Sequence, residues 1–143
     1  MAKINVISHR GANMVAPQNT LPAFKKSFEI GCDGVETDIH LTKDGIPVLC
    51  HNFTIDETST GKGEVRSKNL EELRTYDFGS YFDAKFKGTQ LPLLKEFLEV
   101  SKDEQVEIMN IEIKPPLDGN MDIVKKTIDS VKEMGLFDKL LIS

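Results

Sequence analysis

The 143-residue sequence has only two cysteines, Cys32 and Cys50. Both lie in or beside predicted strands, and their spacing matches no zinc or redox pattern. They read as reduced, buried thiols in the compartment inferred next. No stretch approaches the ~20 apolar residues needed to cross a bilayer, which excludes a transmembrane segment. The opening Met1-Ala2-Lys3-Ile4-Asn5-Val6-Ile7 has one basic residue, then an apolar run too short for a secretory signal core. The expected location is cytoplasmic. Positive charge is also scarce: Lys and Arg number 18 against 23 Asp and Glu, for a formal net charge of −5. A weakly acidic chain without a basic stripe is a poor nucleic-acid binder, so that class of partner is set aside. What is present is ordinary globular material, 39% hydrophobic and 29% charged, enough for one domain with a core.

Strands and helices alternate along the chain. Ile4–Ser8 is an apolar run expected to form a buried strand. Pro17-Gln18-Asn19-Thr20 reads as a turn into a helix, with Asn19 or Thr20 as cap and Pro22 in the tolerant first turn. Leu21, Phe24 and Phe28 keep helical spacing, and Gly31 ends the run. Val35–Leu41 alternates as a strand, with Val35, Thr37, Ile39 and Leu41 on one face and Glu36, Asp38 and His40 on the other. Lys43-Asp44-Gly45 is a hairpin-type turn into a strand over Ile46–Cys50. A polar, glycine-bearing and then aromatic-rich stretch follows, about Asn52–Gln90, with a short helix expected at Ser67–Arg74. Leu93–Ser101 reads as helix, Val106–Lys114 as strand, Met121–Met134 as amphipathic helix and Lys139–Ile142 as strand. The alternation predicts a parallel sheet flanked by helices. Five strands cannot close an eight-stranded barrel, which takes roughly 200 residues or more. The sheet is therefore open, or the chain is the front part of something longer.

The acidic pattern carries the chemistry. Glu36 and Asp38, two apart in a strand, project from one face, and burying two unpaired carboxylates there is costly. Glu112 repeats the situation on a later strand, where it shares a face with Asn110 and Lys114. Three carboxylates without a Cys/His ligand set favour one hard cation, Mg²⁺ or Ca²⁺. His9 and His51 each follow an apolar strand directly. They are expected at strand C-terminal ends, where catalytic groups of parallel α/β enzymes collect, and they suit acid–base work near neutral pH. His40 shares the face of Asp38, and geometry alone does not set it aside. Arg10 and Lys114 supply positive charge for a phosphate.

Taken together, these segments resemble a known family. His9-Arg10-Gly11, Pro17-Gln18-Asn19-Thr20, Ala23-Phe24 and Gly31-x-Asp33-x-x-Glu36-x-Asp38 resemble the start of glycerophosphodiester phosphodiesterases. The likeness continues through Thr42-Lys43-Asp44-Gly45-x-Pro47-Val48-x-x-His51 and Thr58-Ser59-x-Gly61-x-Gly63. It ends with Leu91-Pro92-Leu93-Leu94-x-Glu96 and Asn110-Ile111-Glu112-Ile113-Lys114, so it spans nearly the whole chain in order.

The resemblance implies an α/β fold: a TIM (β/α)8 barrel of the phospholipase C-like phosphodiesterase type. Here it is truncated to about five strands in a single incomplete domain, residues 1–143, with a small inserted subdomain at about 52–90. It implies that Glu36, Asp38 and Glu112 hold one Mg²⁺ or Ca²⁺, that His9 and His51 are the acid–base pair, and that Arg10 and Lys114 contact the phosphate. The implied substrate is a small-molecule glycerophosphodiester, hydrolysed to glycerol 3-phosphate and an alcohol. His40 matches no catalytic position of the family. Three residues depart from the family pattern. Gln18 stands where Glu is usual, Asn52 where Asp is usual, which weakens carboxylate support of His51, and Glu57 where Arg is common. Two other expectations remain alongside. The chain is an inactive fragment or binding module that self-associates through unpaired strand edges, or it is a related barrel phosphodiesterase with another head-group preference.

Overall fold

The computed structural model describes residues 2–116 and 118–143. Five strands form one sheet: β1 (Ile7–Ser8), β2 (Gly34–Leu41), β3 (Pro47–Leu49), β4 (Ile108–Ile113) and β5 (Leu140–Ile142). Their order is β1-β2-β4-β5, all parallel, and β3 pairs antiparallel with β2. Three helices link the parallel strands: α1 (Leu21–Ile30), α3 (Leu94–Asp103) and α4 (Asp122–Glu133). A single-turn helix, α2 (Leu70–Leu73), lies between β3 and α3.

Helix α1 forms where its apolar spacing predicts. Thr20 is its N-cap residue, yet its hydroxyl donates to the Pro17 carbonyl at 2.5 Å and not to the helix. Gly31 stops the helix at φ 94°, a left-handed conformation that favours glycine. The strand alternation also holds. Val35 and Ile39 of β2 and Met109 and Ile111 of β4 pack with Phe24, Leu94, Phe97, Leu98 and Ile123 of the helices in one core. Phe24 and Phe97 meet edge-on at 4.8 Å and tie α1 to α3. Each such buried ring contributes about 2–3 kcal/mol. The even-numbered residues of β2 and β4 therefore point to the opposite face of the sheet.

Three expectations are corrected. The buried strand predicted over Ile4–Ser8 shrinks to Ile7–Ser8, and Ile4, Val6 and Ile7 are exposed at 84%, 56% and 38%. Among the described residues β1 pairs only with β2, so its other edge and its flanks face solvent. The helix predicted at Ser67–Arg74 is broken. Residues Val65–Ser67 form a 3-10 turn, Lys68 is extended, and α2 starts after Asn69. The third correction concerns β3, whose antiparallel course changes the placement of His51, as described below.

Residues 52–90 follow an irregular path. Val48, Cys50, Ile55, Val65, Leu73, Phe78 and Leu91 form a second buried cluster, apart from the helix-packed core. Both cysteines are free thiols, Cys50 buried and Cys32 half-buried. Asp77 anchors a turn here, accepting from the backbone N–H of Gly79 at 2.7 Å and Ser80 at 3.0 Å, and from the Ser80 hydroxyl at 2.8 Å. Desolvation raises its pKa, but these donors outweigh it and hold the carboxyl at about 2, below its ordinary 3.8. The unfolded chain then binds more protons between these values, so stability rises with pH across them. Asp77 contributes fully above about pH 4, and the contribution fades as pH falls towards 2. Urea midpoints followed from pH 5 to 2 should drop less for Asp77→Asn than for the wild type. Among the described residues, no helix is long and apolar enough to cross a membrane.

Candidate active site

The site is built on a gap in the pairing of β2. On one edge, β4 pairs with β2 from Gly34 to Ile39. On the other, β1 stops at Ser8 opposite Val35, and β3 begins pairing only at Ile39. Glu36, Thr37 and Asp38 fall between, and loop residues fill the gap. Just after β1, the backbone N–H of Arg10 donates to Glu36 Oε2 at 2.9 Å. The turn that allows this runs through Arg10 at φ 57° and Gly11 at φ 77°. A Cβ on Gly11 would lie 2.7 Å from Ala23 Cβ, so both the turn and its seat on α1 require glycine.

Asn19 fills the rest of the gap. Its Oδ1 accepts from the Thr37 hydroxyl at 2.8 Å and from the Asp38 backbone N–H at 3.4 Å, and its Nδ2 donates to Asp38 Oδ2 at 3.0 Å. It is buried, at φ 54°. In the sequence Asn19 stands as a helix-cap residue within a family-like segment. Its place in a polar turn gave no hint that its amide substitutes for a neighbouring strand.

Parallel register sets Asp38 beside Glu112. Glu36, Asp38 and Glu112 each offer an oxygen, and the three oxygens lie within 4.8 Å of one another. Glu36 is 7% exposed and Asp38 is fully buried. Burial first, then the neighbouring Asp38 and Glu112 charges, push the Glu36 carboxyl up to about 7, against the lowering effect of the Arg10 N–H. Asp38 Oδ1 is buried without a hydrogen bond. Lys114 Nζ lies 3.0 Å from it, close enough for an ion pair but not aligned as a donor, and reaches Glu112 Oε1 at 2.5 Å. Arg10 Nε lies 3.5 Å from Asp38 Oδ2, also without a hydrogen bond, while its Nη1 donates to Gln18 Oε1 at 3.0 Å. Gln18 thus orients the guanidinium.

Three carboxylates face two cations, which leaves one negative charge uncompensated. A buried, unsatisfied carboxylate oxygen within an all-oxygen donor set fits a hard divalent cation. With that ion the site would carry one net positive charge, complementary to a phosphodiester monoanion.

His9 joins this cluster, with Nε2 3.9 Å from Glu36 Oε2 and a side chain 63% exposed. His51 arrives differently from the sequence expectation. Because β3 is antiparallel, its C-terminal end is not at the C-terminal side of the parallel strands. It instead brings His51 back alongside the middle of β2, where the N–H of Cys50 donates to the Asp38 carbonyl at 3.0 Å. The strand-end argument, which assumes a parallel strand, does not apply to it. His51 Nδ1 lies 2.7 Å from Asn52 Oδ1, and Asn52 Nδ2 donates to the Glu57 carboxylate. His40 is buried at 1% exposure, edge-on to Phe53, and burial pushes its pKa down to about 4, so it is neutral near pH 7.

The sequence profile of the glycerophosphoryl diester phosphodiesterase family matches residues 9–142. The chain belongs to this family. A glycerophosphodiester phosphodiesterase of Caldanaerobacter subterraneus subsp. tengcongensis is 40% identical over 141 residues, covering 99% of this chain and 58% of that protein. The crystal structure of an Agrobacterium tumefaciens glycerophosphodiester phosphodiesterase superposes with a TM-score of 0.89 at 31% identity, covering 99% of this chain and 58% of that one. An Oleispira antarctica phosphodiesterase, solved with the product sn-glycerol-3-phosphate, superposes at 0.91 and 31% identity, over 97% of this chain and 56% of its own. The chain thus spans rather more than half the length of these relatives. Its fold is the corresponding part of the family's TIM barrel: four parallel strands, with β3 as an antiparallel arm on β2.

Proposed function

We propose that this chain carries the catalytic centre of a metal-dependent glycerophosphodiester phosphodiesterase, with glycerol 3-phosphate and an alcohol as products. The observation that carries the reading is the convergence of Glu36, Asp38 and Glu112, with the buried Asp38 Oδ1 unsatisfied, beside His9, Arg10 and Lys114. Glu36, Asp38 and Glu112 would hold one Mg²⁺ or Ca²⁺. When bound, such an ion neutralises phosphate charge and favours the charge that builds up in phosphoryl transfer. Arg10 and Lys114 bind the phosphate oxygens. Asn19 and Gln18 keep Asp38 and Arg10 in place, so little reorganisation is needed when the substrate arrives.

His9 and His51 move the protons. One takes a proton from the attacking oxygen, which belongs to water or to the neighbouring glycerol hydroxyl, and the other protonates the departing alkoxide. Residues 52–90 act as an insertion that walls the site on the His51 side, a role supported by their own buried cluster and by the Asn52 and Glu57 contacts.

The test is hydrolysis of glycerophosphocholine by the chain, with products identified. Release of glycerol 3-phosphate that stops in excess EDTA and returns with Mg²⁺ or Ca²⁺ is the expected result. Full activity in EDTA would remove the metal role.

A further inference from the structure

Two departures from the family pattern, Asn52 and Glu57, touch each other, and Asn52 also touches His51. The Glu57 carboxylate can only accept a hydrogen bond. Its contact with Asn52 therefore fixes the amide, with Nδ2 towards Glu57 and Oδ1 towards His51. A carbonyl oxygen 2.7 Å from Nδ1 requires a proton on that nitrogen. The neutral imidazole then has its lone pair on Nε2. The Cys50 thiol donates to the Asn52 carbonyl at 3.3 Å and holds that residue's backbone. Each link forces the next, from an exposed carboxylate to a ring tautomer.

We infer that Glu57 is a positioning residue: through Asn52 it locks His51 in the Nδ1–H tautomer, which leaves Nε2 as the nitrogen that exchanges a proton with the reacting groups. The inference rests on the hydrolytic reading above and deepens it by naming the nitrogen of His51 that works. The O–H bond of the attacker breaks as oxygen bonds to phosphorus. Whether His51 takes that proton or protonates the alkoxide, the transfer is at Nε2, and the imidazolium form still donates from Nδ1 to Asn52 Oδ1. His9 carries the other proton transfer, as the P–O bond to the alkoxide breaks. The pairing of Asn52 with Glu57 also accounts for both departures at once. The carboxylate that the family pattern has next to the histidine is here one residue further off, relayed by an amide.

The test has a readout that does not depend on turnover. Nitrogen-15 NMR of histidine-labelled chain at a pH where His51 is neutral should show a protonated Nδ1 and an unprotonated Nε2. Glu57→Gln, whose own amide can turn either way, should give a tautomer mixture. It should also lower kcat about tenfold with KM unchanged. Combining Asn52→Asp with Glu57→Gln places a carboxylate directly on Nδ1–H, and should restore both the single tautomer and kcat. A wild-type His51 protonated on Nε2 would overturn the inference whether or not the chain hydrolyses anything. An unchanged tautomer and kcat in Glu57→Gln would overturn it too. If the tautomer results come out as expected but no diester is cleaved, the hydrolytic reading fails and the positioning device stands.

Discussion

Asp38→Asn is expected to lower glycerophosphodiester hydrolysis by about a thousandfold or more, and to weaken Mg²⁺ or Ca²⁺ binding in parallel. No other charged side chain of the site is so thoroughly enclosed. Asp38 is fully buried, accepts from Asn19, and lies within ion-pair distance of both Arg10 and Lys114. The substitution keeps the volume but removes the charge on which those cations are arranged. It also sets an amide donor against either the Asn19 amide or the Lys114 ammonium, because both flanking groups are donors. The fold should survive with a loss of about 1–3 kcal/mol, the cost of leaving buried polar groups mismatched. Calorimetric titration with the ion and an assay on the same folded preparation check both effects. Wild-type ion affinity in this variant would show that Asp38 is not a ligand.

His9→Ala and His51→Ala should each lower kcat by about a hundredfold to ten-thousandfold, the range for loss of a positioned acid or base. KM should change little, since neither ring is assigned to ground-state binding. Stability should barely move for His9→Ala, because that side chain is 63% exposed and its Nε2 lies 3.9 Å from Glu36, beyond hydrogen-bond distance. The double variant should be much less than multiplicatively worse, because the two proton transfers serve one reaction. Steady-state kinetics of the three variants on one diester decide this. Wild-type kcat in either single variant would remove that histidine from the chemistry.

Much of this arrangement was legible in the sequence, for reasons that differ from residue to residue. β2 was clear because its alternation is strict and its polar face carries the unusual Glu36 and Asp38. Glu112 was clear because a carboxylate between Ile111 and Ile113 in a strand needs a partner. β1 was over-read. Ile4, Val6 and Ile7 look like core from sequence, but burial depends on what covers them, and no window of sequence reports that. His51 was placed for the wrong reason. The Lys43-Asp44-Gly45 turn was recognised as a hairpin, and a hairpin makes β3 antiparallel, yet the strand-end argument assumed parallel strands throughout. Asn19 was missed as a site residue because its work is to stand in for a neighbouring strand, and a missing neighbour leaves no local mark. In the sequence Asn52 and Glu57 stand as two separate departures. Their contact across five positions of irregular chain turns two apparent losses into one device.

The most direct measurement of the central claim is a crystal structure of the chain grown with Mn²⁺ and glycerol 3-phosphate, with anomalous scattering used to place the ion. The account predicts a single strong peak at about 2.0–2.6 Å from oxygens of Glu36, Asp38 and Glu112, the range for hard divalent cations. The phosphate should lie between Arg10 and Lys114, within reach of His9 and His51. An ion bound elsewhere, with these three carboxylates still held only by Arg10 and Lys114, would contradict it.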